Sequence, residues 1–102
     1  MNKKNTESAV QLFERGDYSA AYLSNGSDDN LKGCSLILLG LFERGLSLLD
    51  SSEDNRTRFC SAAAYWGLNN NAAAQEILDH ISPDSIYHKP SKKLKKLAID
   101  LS

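Results

Sequence analysis

Apolar residues along this chain recur at the three- and four-residue spacing of a buried helix face, with no strand-like alternation. Ala9, Leu12 and Phe13 mark a first helix from about Thr6 to Arg15; Tyr18, Ala21 and Tyr22 mark a second, from Asp17 to about Ser24. Asp17 is placed to accept from the free amides at the start of that second helix. A third helix, about Asp29 to Glu43, carries Leu31, Cys34, Leu38, Leu41 and Phe42 on one face, with Leu36, Ile37 and Leu39 on the rest. A helix apolar nearly all round is covered on several sides, so this one is expected at the centre. It either stops at Gly45 or runs on through Leu46, Leu48 and Leu49, because an internal glycine costs only about 1 kcal/mol. Further on, Phe59, Ala62, Ala63 and Trp66 predict a helix from about Arg56 to Leu68, and Ala73, Ile77, Leu78 and Ile81 another from Ala72. Pro83 ends that one. Ser91 is placed to cap a last helix bearing Leu94, Leu97, Ala98 and Leu101.

Five residues occur twice, as Leu12-Phe13-Glu14-Arg15-Gly16 and Leu41-Phe42-Glu43-Arg44-Gly45, and a blurred third copy lies at Tyr65–Asn69. Each reads as a helix end in which glycine, or asparagine as the next best residue, takes a positive φ. With alanine-rich crossings at Ala20-Ala21, Ala62–Ala64 and Ala72–Ala74, the pattern predicts antiparallel helical hairpins packed closely. The expected architecture is all-α: three irregular hairpins over residues 5–82, then a loop and a basic C-terminal capping helix over 83–102. That makes about six helices and a short seventh.

Length narrows this to one domain of 102 residues. The net charge of −1 is unevenly spread: residues 1–82 hold 7 basic and 11 acidic groups, and residues 83–102 hold 5 and 2. No apolar run is long enough to span a bilayer, and Lys3-Lys4 is not followed by a signal-peptide core, so a cytoplasmic location is expected. Cys34 and Cys60 lie in apolar surroundings without metal-ligand spacing and are read as buried, reduced thiols.

The run Leu12-Phe13-Glu14-Arg15-Gly16-Asp17-Tyr18-Ser19-Ala20-Ala21, with Ala62–Asn69, Ala74 and Leu78, resembles the helix-turn-helix junction of the tetratricopeptide repeat family. Spacings of 29 and 24 residues between the three junctions replace that family's 34. The resemblance implies an α-solenoid whose first helices line a groove for an extended peptide. Aligned on Phe13, Phe42 and Trp66, the junctions place Lys3, Lys32 and Arg56 ten residues upstream and Thr6, Ser35 and Phe59 seven upstream. Lys32 and Arg56 are therefore expected to form a basic groove edge favouring an acidic segment, with Ser35, Phe59 and an exposed Tyr65 as further contacts. The carboxylate clamp of some family members is absent, since Leu36 and Cys60 stand where it needs asparagine.

Lys92, Lys93, Lys95 and Lys96 form a second candidate surface, whose plainer role is the wet outer face of a capping helix. No aromatic is interleaved among them, so nucleic-acid binding is not expected. Catalysis is not expected either, because His80 and His88 sit apart and no phosphate loop, nucleophile elbow or HExxH occurs. The expectation is a non-catalytic protein-interaction or scaffold module with no metal or cofactor. Two alternatives stand beside it: an N-terminal docking domain of a larger enzyme such as a glycosyltransferase, and a module that self-associates through an uncapped edge.

Overall fold

The structure, a computed structural model, describes residues 8–50 and 54–100. They form seven helices in chain order: α1 (Ala9–Glu14), α2 (Tyr18–Leu23), α3 (Asp29–Leu38), α4 (Phe42–Leu48), α5 (Asn55–Gly67), α6 (Asn71–Leu78) and α7 (His88–Asp100). No strand occurs among the described residues. Helix starts follow side-chain capping. Ser8 and Gln11 exchange hydrogen bonds of 2.9 and 3.1 Å in a capping box at α1. Asp17, Asp28, Asp54 and Asn70 each accept from the third residue onward at α2, α3, α5 and α6. Each cap satisfies an amide that the helix itself leaves free.

Three helix ends share one geometry. Gly16, Gly40 and Asn69 take φ of 92°, 96° and 67°. At each, the residue's own N–H donates to the carbonyl three back, and the next N–H to the carbonyl five back: Asp17 to Leu12, Leu41 to Leu36, Asn70 to Tyr65, at 2.8–2.9 Å. This is the Schellman closure. The third junction, at Tyr65–Asn69, is where the sequence places it. The second is not. Its counterpart of Leu12–Gly16 is Leu36–Gly40, and the second LFERG opens α4 where the first closes α1. The expected helix from Asp29 to Glu43 therefore breaks at Gly40, and the turn-to-turn spacings become 24 and 29 residues.

Gly45 is no helix stop. It is buried inside α4, facing buried Gly33 of α3. A Cβ at Gly33 would come within 2.6 Å of the Gly45 carbonyl oxygen, and one at Gly45 within 2.5 Å of the Gly33 oxygen and 2.4 Å of Ile37. No real side chain tolerates such distances, so the two glycines let the α3 and α4 backbones touch.

Each helix packs on the next, α1 on α2, α2 on α3, α3 on α4, α4 on α5, α5 on α6 and α6 on α7, while α1, α3 and α5 also contact in turn. α3 touches α1, α2, α4 and α5, the central place that its all-round apolar pattern predicts. Two core clusters result. One joins Leu12, Phe13, Leu31, Cys34, Ile37 and Cys60; the other joins Ala62, Ala74, Leu78, Ile81 and Leu94. Half-buried Phe59 and Ala63 pack against both. Ala21, Ala62, Ala64 and Ala74 are fully buried, as close helix crossings require.

α7 packs on α6 and α5. It begins at His88, three residues before the expected cap, and takes Pro90 into its first turn, where no intrahelical N–H bond is lost. Ser91 is accordingly a buried helical residue whose hydroxyl has no hydrogen-bond partner among the described residues, and not the helix cap.

Candidate functional site

The break at Gly40 decides which side chains face together. Leu38 and Phe42 flank the turn and, with Ile37 and Gly40, form one wall of an apolar hollow of about 370 Å³. Its floor is α5, through Phe59, Ala63 and Trp66. Its far wall is α7, through Pro90, Lys93, Leu94 and Leu97. Gly67 makes room for the Phe42 ring, because a Cβ there would fall 2.4 Å from it. A second hollow of about 360 Å³ shares Leu38, Phe59 and Pro90 and extends past Tyr87 and Ile86 to Phe13, Glu14 and Tyr18. Together they make one trough, running from the end of α1 to the end of α5.

Two aromatic pairs line the trough. Phe59 stacks on Tyr87 with ring centroids 5.6 Å apart at 29°, and Phe13 meets Tyr18 edge-on at 5.2 Å. Burial pushes the Tyr87 phenol above its ordinary pKa, with Cys60 adding to the rise and the Arg56 guanidinium opposing it. Beneath the floor Cys34 and Cys60 are fully buried free thiols on neighbouring helices. A hydrogen bond between the Cys60 thiol and Cys34, and then burial, raise the Cys60 pKa, so the Cys60 sulfur is not poised as a nucleophile.

The sequence-predicted contacts divide. Phe59 lies in the trough. Ser35 does not: it is fully buried, its hydroxyl donating to the Leu31 carbonyl at 2.8 Å, and no partner reaches it. Tyr65 is half-buried against the second core cluster, away from the trough, instead of standing exposed. Lys32 and Arg56 are both half-buried but do not share a column. Measured from the positive-φ residues, Arg56 lies 13 before Asn69 and Lys32 only 8 before Gly40, so Ser27 holds the position equivalent to Arg56. The basic edge rested on the misplaced junction. Arg56 itself keeps a buried Nε with no hydrogen-bond partner among the described residues. Lys3 and Thr6, the first members of those columns, lie outside the described residues.

Of the lysine cluster, Lys92, Lys93 and Lys96 are exposed, whereas Lys95 is half-buried and ion-paired with Asp79. Lys93 stands on the trough rim. Lys89, Lys93 and Lys96 follow at i, i+4 and i+7, one stripe beside the opening. The residues that the sequence reading missed are Ile37, Leu38, Phe42, Trp66, Pro90 and Leu97. Phasing on Gly40 would have found Ile37, Leu38 and Phe42, which surround that turn; the α7 wall had no local signal.

No group of three His, Cys, Asp or Glu side chains among the described residues is placed to hold a metal ion. No helix among them is long and apolar enough to cross a membrane. No family model matches the chain, and neither does any curated protein or any solved structure.

Proposed function

We propose that the protein is a non-catalytic interaction module that holds an apolar, acid-flanked segment of a partner protein in the trough between α3, α5 and α7. The observation that carries this reading is the trough with its basic rim: aromatic and aliphatic walls around about 370 Å³, edged by Lys93. Phe42, Phe59 and Trp66 supply large, stiff contact surface, the kind that anchors interfaces. Leu97 on the trough wall remains 46% exposed, apolar area that a bound partner would cover. The larger hollow offers no carboxylate, imidazole or thiol for chemistry, and its one charge suits recognition of an acid.

Display selection with random 16-residue peptides tests this directly. Enriched peptides are expected to bind the wild-type protein, to alter the fluorescence of Trp66, the single tryptophan, and to carry acidic residues. Leu97→Glu should weaken them at least tenfold, and Lys93→Glu severalfold in a salt-dependent manner. Both residues are exposed, so the variants should fold. Absence of enrichment, or binders indifferent to both changes, would overturn the proposal.

A further inference from the structure

We infer that the trough's occupant is an amphipathic α-helix of about two turns, acidic along one flank, and not the extended peptide that the repeat-family resemblance implies; this rests on the interaction reading above. Three observations on separate residues carry it.

The first is backbone chemistry. An extended segment brings an N–H and a C=O per residue, and a groove that buries them must supply partners. The seat lies in the larger hollow, between α3, α5 and α7, which is lined by no side-chain amide, hydroxyl or carboxylate; its side-chain donors are the Lys93 ammonium and the Trp66 indole, while the Glu14 carboxylate and the Tyr18 and Tyr87 hydroxyls line the second hollow beyond it. A helix brings its backbone bonds already made and needs only apolar cover, which is the mode of an amphipathic helix in a groove.

The second is matched periodicity. The floor residues Phe59, Ala63 and Trp66 stand at i, i+4 and i+7 of α5, and the wall residues Pro90, Leu94 and Leu97 at i, i+4 and i+7 of α7. At 1.5 Å per residue each row is roughly 10 Å long, two helical turns. Two helix faces of equal length, side by side, form the seat for ridges of a third helix. Ala63 at the middle of the floor leaves the room for its central anchor.

The third is charge. Lys89, Lys93 and Lys96 are exposed and repeat the i, i+4, i+7 interval one helical position before each wall residue, with Lys93 itself lining the hollow, and none makes an ion pair among the described residues. Acids on the occupant at the same interval, offset from its apolar anchors, would meet all three. The neighbouring hollow at Leu41 and Leu68 carries one acid and one base, Glu43 and Arg44, so the excess of positive charge lies on the α7 side and sets the orientation of the acidic flank.

Two displayed libraries separate the outcomes. One randomises four positions of a lactam-bridged helix; the other randomises a linear segment kept extended by alternate prolines. Binders are expected from the helical library alone, with apolar residues at i, i+3 or i+4 and i+7 and acids on one flank. They should lose at least tenfold with Leu97→Glu, and exchange acidic for basic flanks when reselected against Lys89→Glu/Lys93→Glu/Lys96→Glu. Leu97-dependent binders from the extended library alone would overturn the helical inference and leave the interaction module standing. Leu97-dependent binders from neither would overturn both. Helical binders that keep acidic flanks against the triple variant would overturn the assigned charge register.

Discussion

At Gly40 the backbone needs a positive φ and has open space around it, whereas at Gly45 it needs the space and no special φ. Substitution tells the two apart. Gly40→Ala is expected to cost about 1–2 kcal/mol from the left-handed conformation alone, and Gly40→Asn clearly less. Gly45→Ala should cost about 2–3 kcal/mol by forcing α3 and α4 apart, with Gly45→Asn no better. Urea unfolding of the four variants checks the assignment, and rescue by asparagine at Gly45 would refute it. The buried thiols make a second residue-scale expectation. Ellman's reagent should modify Cys34 and Cys60 only as fast as the protein unfolds, since both are fully buried. Their protonation also sets a pH limit. Cys60 and Tyr87 have folded-state pKa values raised above the unfolded ones, so the neutral forms are favoured by folding. Their contribution is complete below the unfolded pKa values and declines as pH rises past about 8.5 for the thiol and about 10 for the phenol. Tyr87→Phe should remove the second decline, readable in urea midpoints between pH 7 and 11.

Among the elements, α7 carries the sharpest contrast between buried and exposed faces. Leu94 is buried against Leu78 and Ile81, so Leu94→Ala should cost about 2–3 kcal/mol. Lys95 and Asp79 form an ion pair whose side chains are 42% and 55% exposed, so Lys95→Ala should cost under about 1 kcal/mol, and less in salt. Chemical denaturation of the two variants separates these magnitudes; equal losses would mean that α7 is not seated on α6 as described. The helix was legible in the sequence because Leu94, Leu97 and Ala98 share a face, while its start was not. Pro90 reads as the end of a loop locally, yet the first turn of a helix tolerates it. The stretch around Gly40 was misread for a related reason: two glycines five residues apart are equivalent to local rules, and the pentapeptide identity favoured the wrong one. The folded backbone distinguishes them, by the positive φ and Schellman hydrogen bonds at Gly40 and by the contact of Gly45 with Gly33.

For the whole molecule, Phe59 is the joint between the two core clusters and the floor of the trough. Phe59→Ala should destabilise by about 3 kcal/mol and make Trp66 fluorescence and far-ultraviolet circular dichroism report different urea midpoints, where the wild type gives one. Coincident transitions in the variant would show that the clusters are coupled elsewhere. What the sequence by itself determined is local in origin. Helical class, most helix starts and the central place of α3 follow from periodicity, capping side chains and an apolar surface too extensive to leave wet. Two of the three Schellman turns were legible for the same reason, since Gly16 and Asn69 each directly follow the apolar face of their helix. What only the tertiary structure decided is which residues meet. Ser35 and Phe59 looked equivalent in register, yet one is sealed against its own helix and the other opens into a trough. The trough needs α7 brought back beside α5 from more than twenty residues away, and such long-range packing leaves no mark in local periodicity.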